Sequence, residues 1–234
     1  MKQVLRRALA FAACVAGLAA TAGTSDLLGA RDRQDLGRIE AIIKQYEQPA
    51  QQNPKSPEAQ YKLALAYSYG AEVAMETHDK KKSQTLAEAG LEAAKKAVEE
   101  NGGNAEYHRL LGELCGQVIP ANPIIGALKY GQCARDEINK AIELDSKLAL
   151  AYVSRGVGNY YLPSSMGGGI DLALQDFDKA IALNPKLAEA YLWKGIALRK
   201  TKRDAEARKA LQEAVALAPN RVWAKEQLNK TPAQ

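Results

Sequence analysis

A 34-residue frame near the end of the chain constrains the fold more than any other feature. Residues 188–221 read AEAYLWKGIALRKTKRDAEARKALQEAVALAPNR, with Tyr191 at position 4, Gly195 at 8, Leu198 at 11, Ala207 at 20, Leu211 at 24, Ala214 at 27 and Pro219 at 32. The frame recurs upstream. Residues 149–187 place Tyr152, Gly156, Ala173, Phe177, Ala180 and Pro185 at equivalent positions. Residues 105–148 place His108, Leu111, Gly112, Ala134, Ile138, Ala141 and Ser146, and residues 57–104 place Leu63, Ala64, Tyr67, Gly90, Ala94, Ala97 and Gly102. The four units tile residues 57–221 without gaps, at 48, 44, 39 and 34 residues, so the excess sits between two half-frames and shrinks along the chain. A repeat of this period is the signature of a solenoid, in which one unit cannot bury its apolar face and a stack can.

The spacing resembles the tetratricopeptide repeat (TPR) family. The last unit matches at nearly every signature position, with Lys194 at position 7 the main departure. The resemblance implies an all-α fold: a right-handed superhelix of four helix-turn-helix repeats with N- and C-terminal capping helices. Small residues at positions 8 and 20 let helices A and B of a unit approach. Ala97, Ala141, Ala180 and Ala214 at position 27 make room for the next unit. The scarcity of Phe and Trp, two of each, fits interfaces built on Gly and Ala.

The ends read as caps. Residues 31–48 carry Leu36, Ile39, Ile42, Ile43 and Tyr46 at helical spacings, with Pro49 and Pro54 expected to end the helix. Residues 23–29 and 231–234 are expected to be loose, and residues 222–230 to form a short solvating helix with Trp223 and Leu228 inward. The domain plan is therefore a leader (1–22), an N-terminal segment and cap (23–56), four repeats (57–104, 105–148, 149–187, 188–221) and a C-terminal cap and tail (222–234).

Residues 1–22 read as a cleaved secretory signal: basic Lys2, Arg6 and Arg7, an uncharged run from Ala8 to Ala20, and a small-residue Ala20-Thr21-Ala22 cleavage site. Periplasmic or secreted localisation follows, with no transmembrane segment after cleavage. Lipidation at Cys14 is the less favoured alternative, since Phe11 stands where a lipobox has Leu. Removing the leader leaves 29 basic against 27 acidic residues, so the formal +5 falls to +2 and gives no general field for a phosphate backbone. A nucleic-acid partner is not expected.

The insertions fall at three places. Residues 71–84 are expected to lengthen both helices of the first unit around a polar turn, Glu76 to Ser83. Pro120 and Pro123 make residues 118–126 a bent loop, either packed on its own hairpin or forming an apolar lip. Residues 162–170, with three Gly, read as a turn requiring positive φ. Enlarged hairpins of this kind resemble those of exported bacterial TPR proteins. Cys115 and Cys133 fall within about two residues of facing one another across the second hairpin, so a disulfide is expected in an oxidising compartment, the alternative being two buried free thiols.

Catalytic patterns are missing. The chain has no His-Glu-x-x-His, no Gly-x-Ser-x-Gly and no phosphate loop with Lys, and its two His are a core-position residue, His108, and one in a polar insertion, His78. No cofactor, metal or enzymatic activity is expected. TPR proteins bind through the concave face lined by helix A, and by that resemblance Tyr61, Tyr69, Arg109, Glu113, Gln117, Tyr160, Tyr161, Trp193, Arg199 and Lys200 are the candidate binding residues. The Lys and Asn clamp of chaperone-binding TPR domains is not reproduced, so the expected partner segment is apolar or aromatic with an acidic contact. The leading expectation is an exported scaffold for a protein or peptide partner. The alternative is a ligand carrier or transport accessory whose pocket is roofed by the insertions.

Overall fold

The computed structural model describes residues 23–121 and 123–232. The leader and Cys14 lie outside these residues, as does the end of the tail. Eleven helices and two 3₁₀ turns make up the described chain, which contains no strand. Helix α1 is described over 23–32, followed by α2 (Leu36–Gln52). The four units are α3 (Pro57–Glu76) with α4 (Lys80–Glu100), α5 (Ala105–Val118) with α6 (Pro123–Leu144), α7 (Ala149–Tyr161) with α8 (Ile170–Leu183), and α9 (Ala188–Lys200) with α10 (Asp204–Leu217); α11 (Val222–Asn229) closes the chain. None of the described helices is long and apolar enough to cross a membrane.

Local chemistry sets the boundaries. Ser56 accepts from the Ala59 N–H at 3.3 Å and Pro57 opens α3, while Asp79 accepts from Lys82 N–H at 3.0 Å and Asn104 from Glu106 N–H at 3.0 Å. Each satisfies an N–H that the first helical turn leaves unpaired. Within a unit the A and B helices pack along their length, and successive A helices (α3, α5, α7, α9) pack on one another. The A helices therefore form one continuous inner layer. Ala97, Ala141, Ala180 and Ala214 are all fully buried, as position 27 requires.

Five expectations are corrected. Residues 23–29 are not loose but helical, with Leu27 and Ala30 buried against Ile39 and Ile42. The helix expected over 31–48 is two helices. The chain breaks at Gln34, whose φ is 55°, and Asp35 starts α2 by accepting from Arg38 N–H at 2.9 Å. Pro49 does not end α2, which runs to Gln52. The helix retains Asn53 N–H to Pro49 O at 3.0 Å, and Gln60 Nε2 holds the Ala50 carbonyl at 2.9 Å. The polar turn of the first unit shrinks to 77–79, because Ser83 is already inside α4, buried, with its hydroxyl donating to Ala71 O at 2.8 Å. The bent loop at 118–126 is largely helical: a 3₁₀ turn over Ile119–Ala121 leads into α6, with Pro123 at the first position where its missing N–H costs nothing. Ile125 is 60% exposed.

Across the α5–α6 hairpin, Cys115 and Cys133 are joined by a disulfide with Cα atoms 6.1 Å apart.

Candidate functional site

The inner layer divides into two halves of different character. In the N-terminal half its polar side chains satisfy one another. Arg109 was expected to face a partner, but it is 4% exposed and is bound by Glu106 at 2.7 Å and by Glu113. Glu113 also accepts from Ser68 and Ser154, both at 3.1 Å, and Gln117 donates to Ser68 O at 3.4 Å. Tyr61 donates to Glu106 at 3.1 Å and stacks on Tyr107 with ring centroids 5.1 Å apart. Tyr69 lies under the Arg31 guanidinium, 5.0 Å from the ring centroid, and burial pushes its hydroxyl up to about 12. This network carries a correction: Arg109 is not a free anchor, because a buried guanidinium without its carboxylates would be too costly to desolvate.

Beside it sits an ion cluster that the sequence did not reveal. Arg221, 1% exposed, is held by Glu76, by Glu72 at 2.7 Å and by Glu189 at 3.3 Å. Arg31 pairs with Asp32 at 2.7 Å and Glu189 at 2.9 Å. Gln34 donates to Glu76 at 3.0 Å. Four carboxylates thus share two guanidiniums. Burial, with the neighbouring Glu76 and Glu189, pushes Glu72 up to about 8 against the pull of Arg221 and Arg31. Burial likewise raises Glu76. For Glu189 burial also pushes upward, but Arg31 and Arg221 outweigh it and hold the carboxyl below its usual range. The cluster ties α1, α3 and α9 to the start of α11, so this end of the inner layer is filled by the chain itself. No sequence signal marks Arg221, which is simply the last residue of the fourth repeat.

The C-terminal half presents aromatic rings. Tyr161, Tyr160, Trp193 and Trp223 form a ladder of edge-to-face contacts, with centroids 4.9 Å apart for Tyr160–Tyr161, 5.9 Å for Tyr160–Trp193 and 5.3 Å for Trp193–Trp223. Such contacts suit the ring quadrupoles. Tyr161 is 68% exposed, whereas Tyr160 and Trp193 are half-buried and brace the core. Lys200 is exposed, its ammonium 4.3 Å above the Tyr160 ring. Arg199 donates to Gln227 O at 2.9 Å, Gln227 Oε1 at 2.6 Å and Thr231 Oγ1 at 3.2 Å, which pins α11 against α9. Of the residues expected to bind, the structure therefore gathers Tyr160, Tyr161, Trp193, Arg199 and Lys200 into one surface. Tyr61, Tyr69, Arg109, Glu113 and Gln117 belong to internal networks. His108 is more than a packing residue: its ring bonds Glu137 at 2.5 Å and Gly102 O at 3.0 Å. Among the described residues no group of three or more metal-ligating side chains converges.

This architecture defines an all-α TPR solenoid, and a tetratricopeptide-repeat family model matches residues 167–222. The model of the family described as regulator of microtubule dynamics protein 1-3 matches residues 28–166, more than half of the chain, and the chain belongs to that family. Among solved structures, the chain is similar to TTC0263, a thermophilic TPR protein of Thermus thermophilus, at 20% identity over 89% of this chain and 98% of that one, with a TM-score of 0.63. It is also similar to MamA (25% identity, 86% of this chain and 96% of that one, TM-score 0.44) and to the TPR protein YrrB (18% identity, 82% of this chain and 84% of that one, TM-score 0.41). No curated protein matches it.

Proposed function

We propose that the chain is a binding scaffold that docks a protein or peptide segment on the aromatic surface of α7 and α9. The observation that carries this reading is the exposure of Tyr161 at the open end of a four-ring ladder. A large aromatic side chain left in water, braced by others that are half-buried, is a preformed anchor: it loses little conformational entropy on binding. The filled N-terminal half of the inner layer directs the partner to this end.

The same reading has the protein exported to an oxidising compartment. The basic-apolar-small leader supports export, and the Cys115–Cys133 pairing suits it.

The test is photocrosslinking with a reactive side chain at position 161 in the full chain, followed by mass spectrometry, with Tyr161→Ala as the pull-down control. The expected result is a discrete partner captured at 161 and lost from the Tyr161→Ala pull-down. A partner retained undiminished by the folded variant would remove this surface as the docking site.

A further inference from the structure

The cations at the Tyr160 end of the ladder differ from the rest of the inner layer, including Arg221, which lies over Trp223 at the other end, 5.5 Å from the ring centroid. Arg31, Arg109 and Arg221 are each held by carboxylates. At the next repeat edge Arg203 is held by Glu206 at 2.7 Å. Arg199 and Lys200 are not: among the described residues Arg199 bonds neutral oxygens of Gln227 and Thr231, and Lys200 contacts the Tyr160 ring and carbonyl. Both positive charges bear on one ring, since Lys200 covers the face of Tyr160 and Arg199 lies close enough to pull its hydroxyl downward against the upward push of burial. An aromatic anchor and two cations without a counter-charge thus share a patch that spans the ends of α7 and α9.

We propose that the segment bound here carries an acidic side chain within a residue or two of an aromatic or branched apolar one. The apolar side chain packs on Tyr161 and the carboxylate is taken by Lys200, with Arg199 adding to the field. This rests on the scaffold reading above and specifies its partner. The physical ground is complementarity. A carboxylate brought to a cation over an aromatic face gains a charge-assisted bond, while a basic or neutral segment gains none and a basic one is repelled. The surface therefore selects against basic segments as well as for acidic ones.

The two tryptophans of the chain, Trp193 and Trp223, are both rungs of the ladder, so intrinsic fluorescence reports occupancy without a label. The experiment selects binders to the full chain from a random displayed peptide library and titrates synthetic copies by tryptophan fluorescence. The expected binders pair Asp or Glu with an aromatic or branched residue and weaken as salt is raised. They lose about tenfold or more in affinity with Lys200→Glu, the size of a lost charge-assisted bond, and bind negligibly to Tyr161→Ala. Binders that need Tyr161 but carry no acid, or that ignore Lys200→Glu, would overturn the acidic partner and leave the scaffold reading standing. Binders indifferent to Tyr161→Ala, or no binders at all, would overturn both.

Discussion

Arg221, at the start of the last helix, donates to both carboxylate oxygens of Glu76 across 145 residues of chain, with Nη1 to Oε2 at 2.9 Å. A stacked solenoid normally makes only neighbour contacts. Here a long-range ion cluster couples the first repeat to the end of the fourth, so the ends should not unfold independently.

Arg221→Ala should therefore destabilise the whole molecule. Removing one partner of a buried pair costs about 3–5 kcal/mol, because the other charges stay buried. Urea unfolding followed by circular dichroism should show one transition for the parent and, for Arg221→Ala, a lowered midpoint with the transition broadened or split as the ends come apart. A parent that already unfolds in two transitions, or a variant with an unchanged midpoint, would show that the cluster does not couple the ends. Arg221→Lys should recover only part of the loss, since one ammonium cannot serve Glu72, Glu76 and Glu189 at once.

The same cluster sets a pH dependence. Glu72 is raised to about 8 and Glu76 is raised, so the folded form holds protons that the unfolded chain releases near the ordinary carboxylate pKa. The contribution of both is fully present below about 4.5; that of Glu72 is lost as pH rises through about 8, and that of Glu76 is likewise lost as pH rises. Glu189, held low, acts oppositely: its contribution is present above the ordinary range and falls away in acid. Stability should peak in mildly acidic solution and decline towards pH 8. Glu72→Gln, which cannot ionise, should flatten that decline in a series of urea titrations. An unchanged slope would mean that Glu72 is not the group responsible.

How much of this was legible in the sequence depends on the range of the contact involved. The repeat frame is a local signal: Gly195, Ala207 and Ala214 recur because each must fit against a neighbour a fixed number of residues away. The four hairpins follow from it, but the inserted turns do not: the first closes at 77–79 and the second is largely helical. The N-terminal hairpin was missed because Gln34 and Asp35 break a pattern that is helical on both sides, and no Gly or Pro marks the break. The candidate surface was half legible. Helix-A positions located the tyrosines, but repeat position says nothing about whether Arg109 meets a partner or Glu106 and Glu113 one turn away on its own helix. The Arg221 cluster depends on superhelical curvature, which no single repeat encodes.

The disulfide should stabilise the second hairpin. It closes a loop over a separation of 18 residues, for which the chain-entropy model gives about 3 kcal/mol. The Cys115→Ala, Cys133→Ala double variant should unfold at correspondingly lower urea. The native protein should show no alkylatable thiol from this pair until reductant is added. Cys115 is 1% exposed, so its removal also leaves a small void.

A close helix approach makes a prediction of opposite sign at two glycines. A Cβ on Gly112, at position 8 of its repeat, would lie 2.7 Å from Ile138 Cγ1 and 3.0 Å from both Ala134 O and Ile138 N. Two of those atoms are backbone and cannot move aside without separating α5 from α6. Gly131, inside α6, has nothing within 4 Å of the same construction. Alanine is the better helix former by about 1 kcal/mol in both places. At Gly131 that preference acts alone, and Gly131→Ala should raise the unfolding midpoint. At Gly112 it is opposed by overpacking of about 1–3 kcal/mol, and Gly112→Ala should lower it. Measured side by side, the pair separates helix propensity from interhelix fit. A Gly112→Ala variant as stable as the parent would mean that α5 and α6 are not held at this distance.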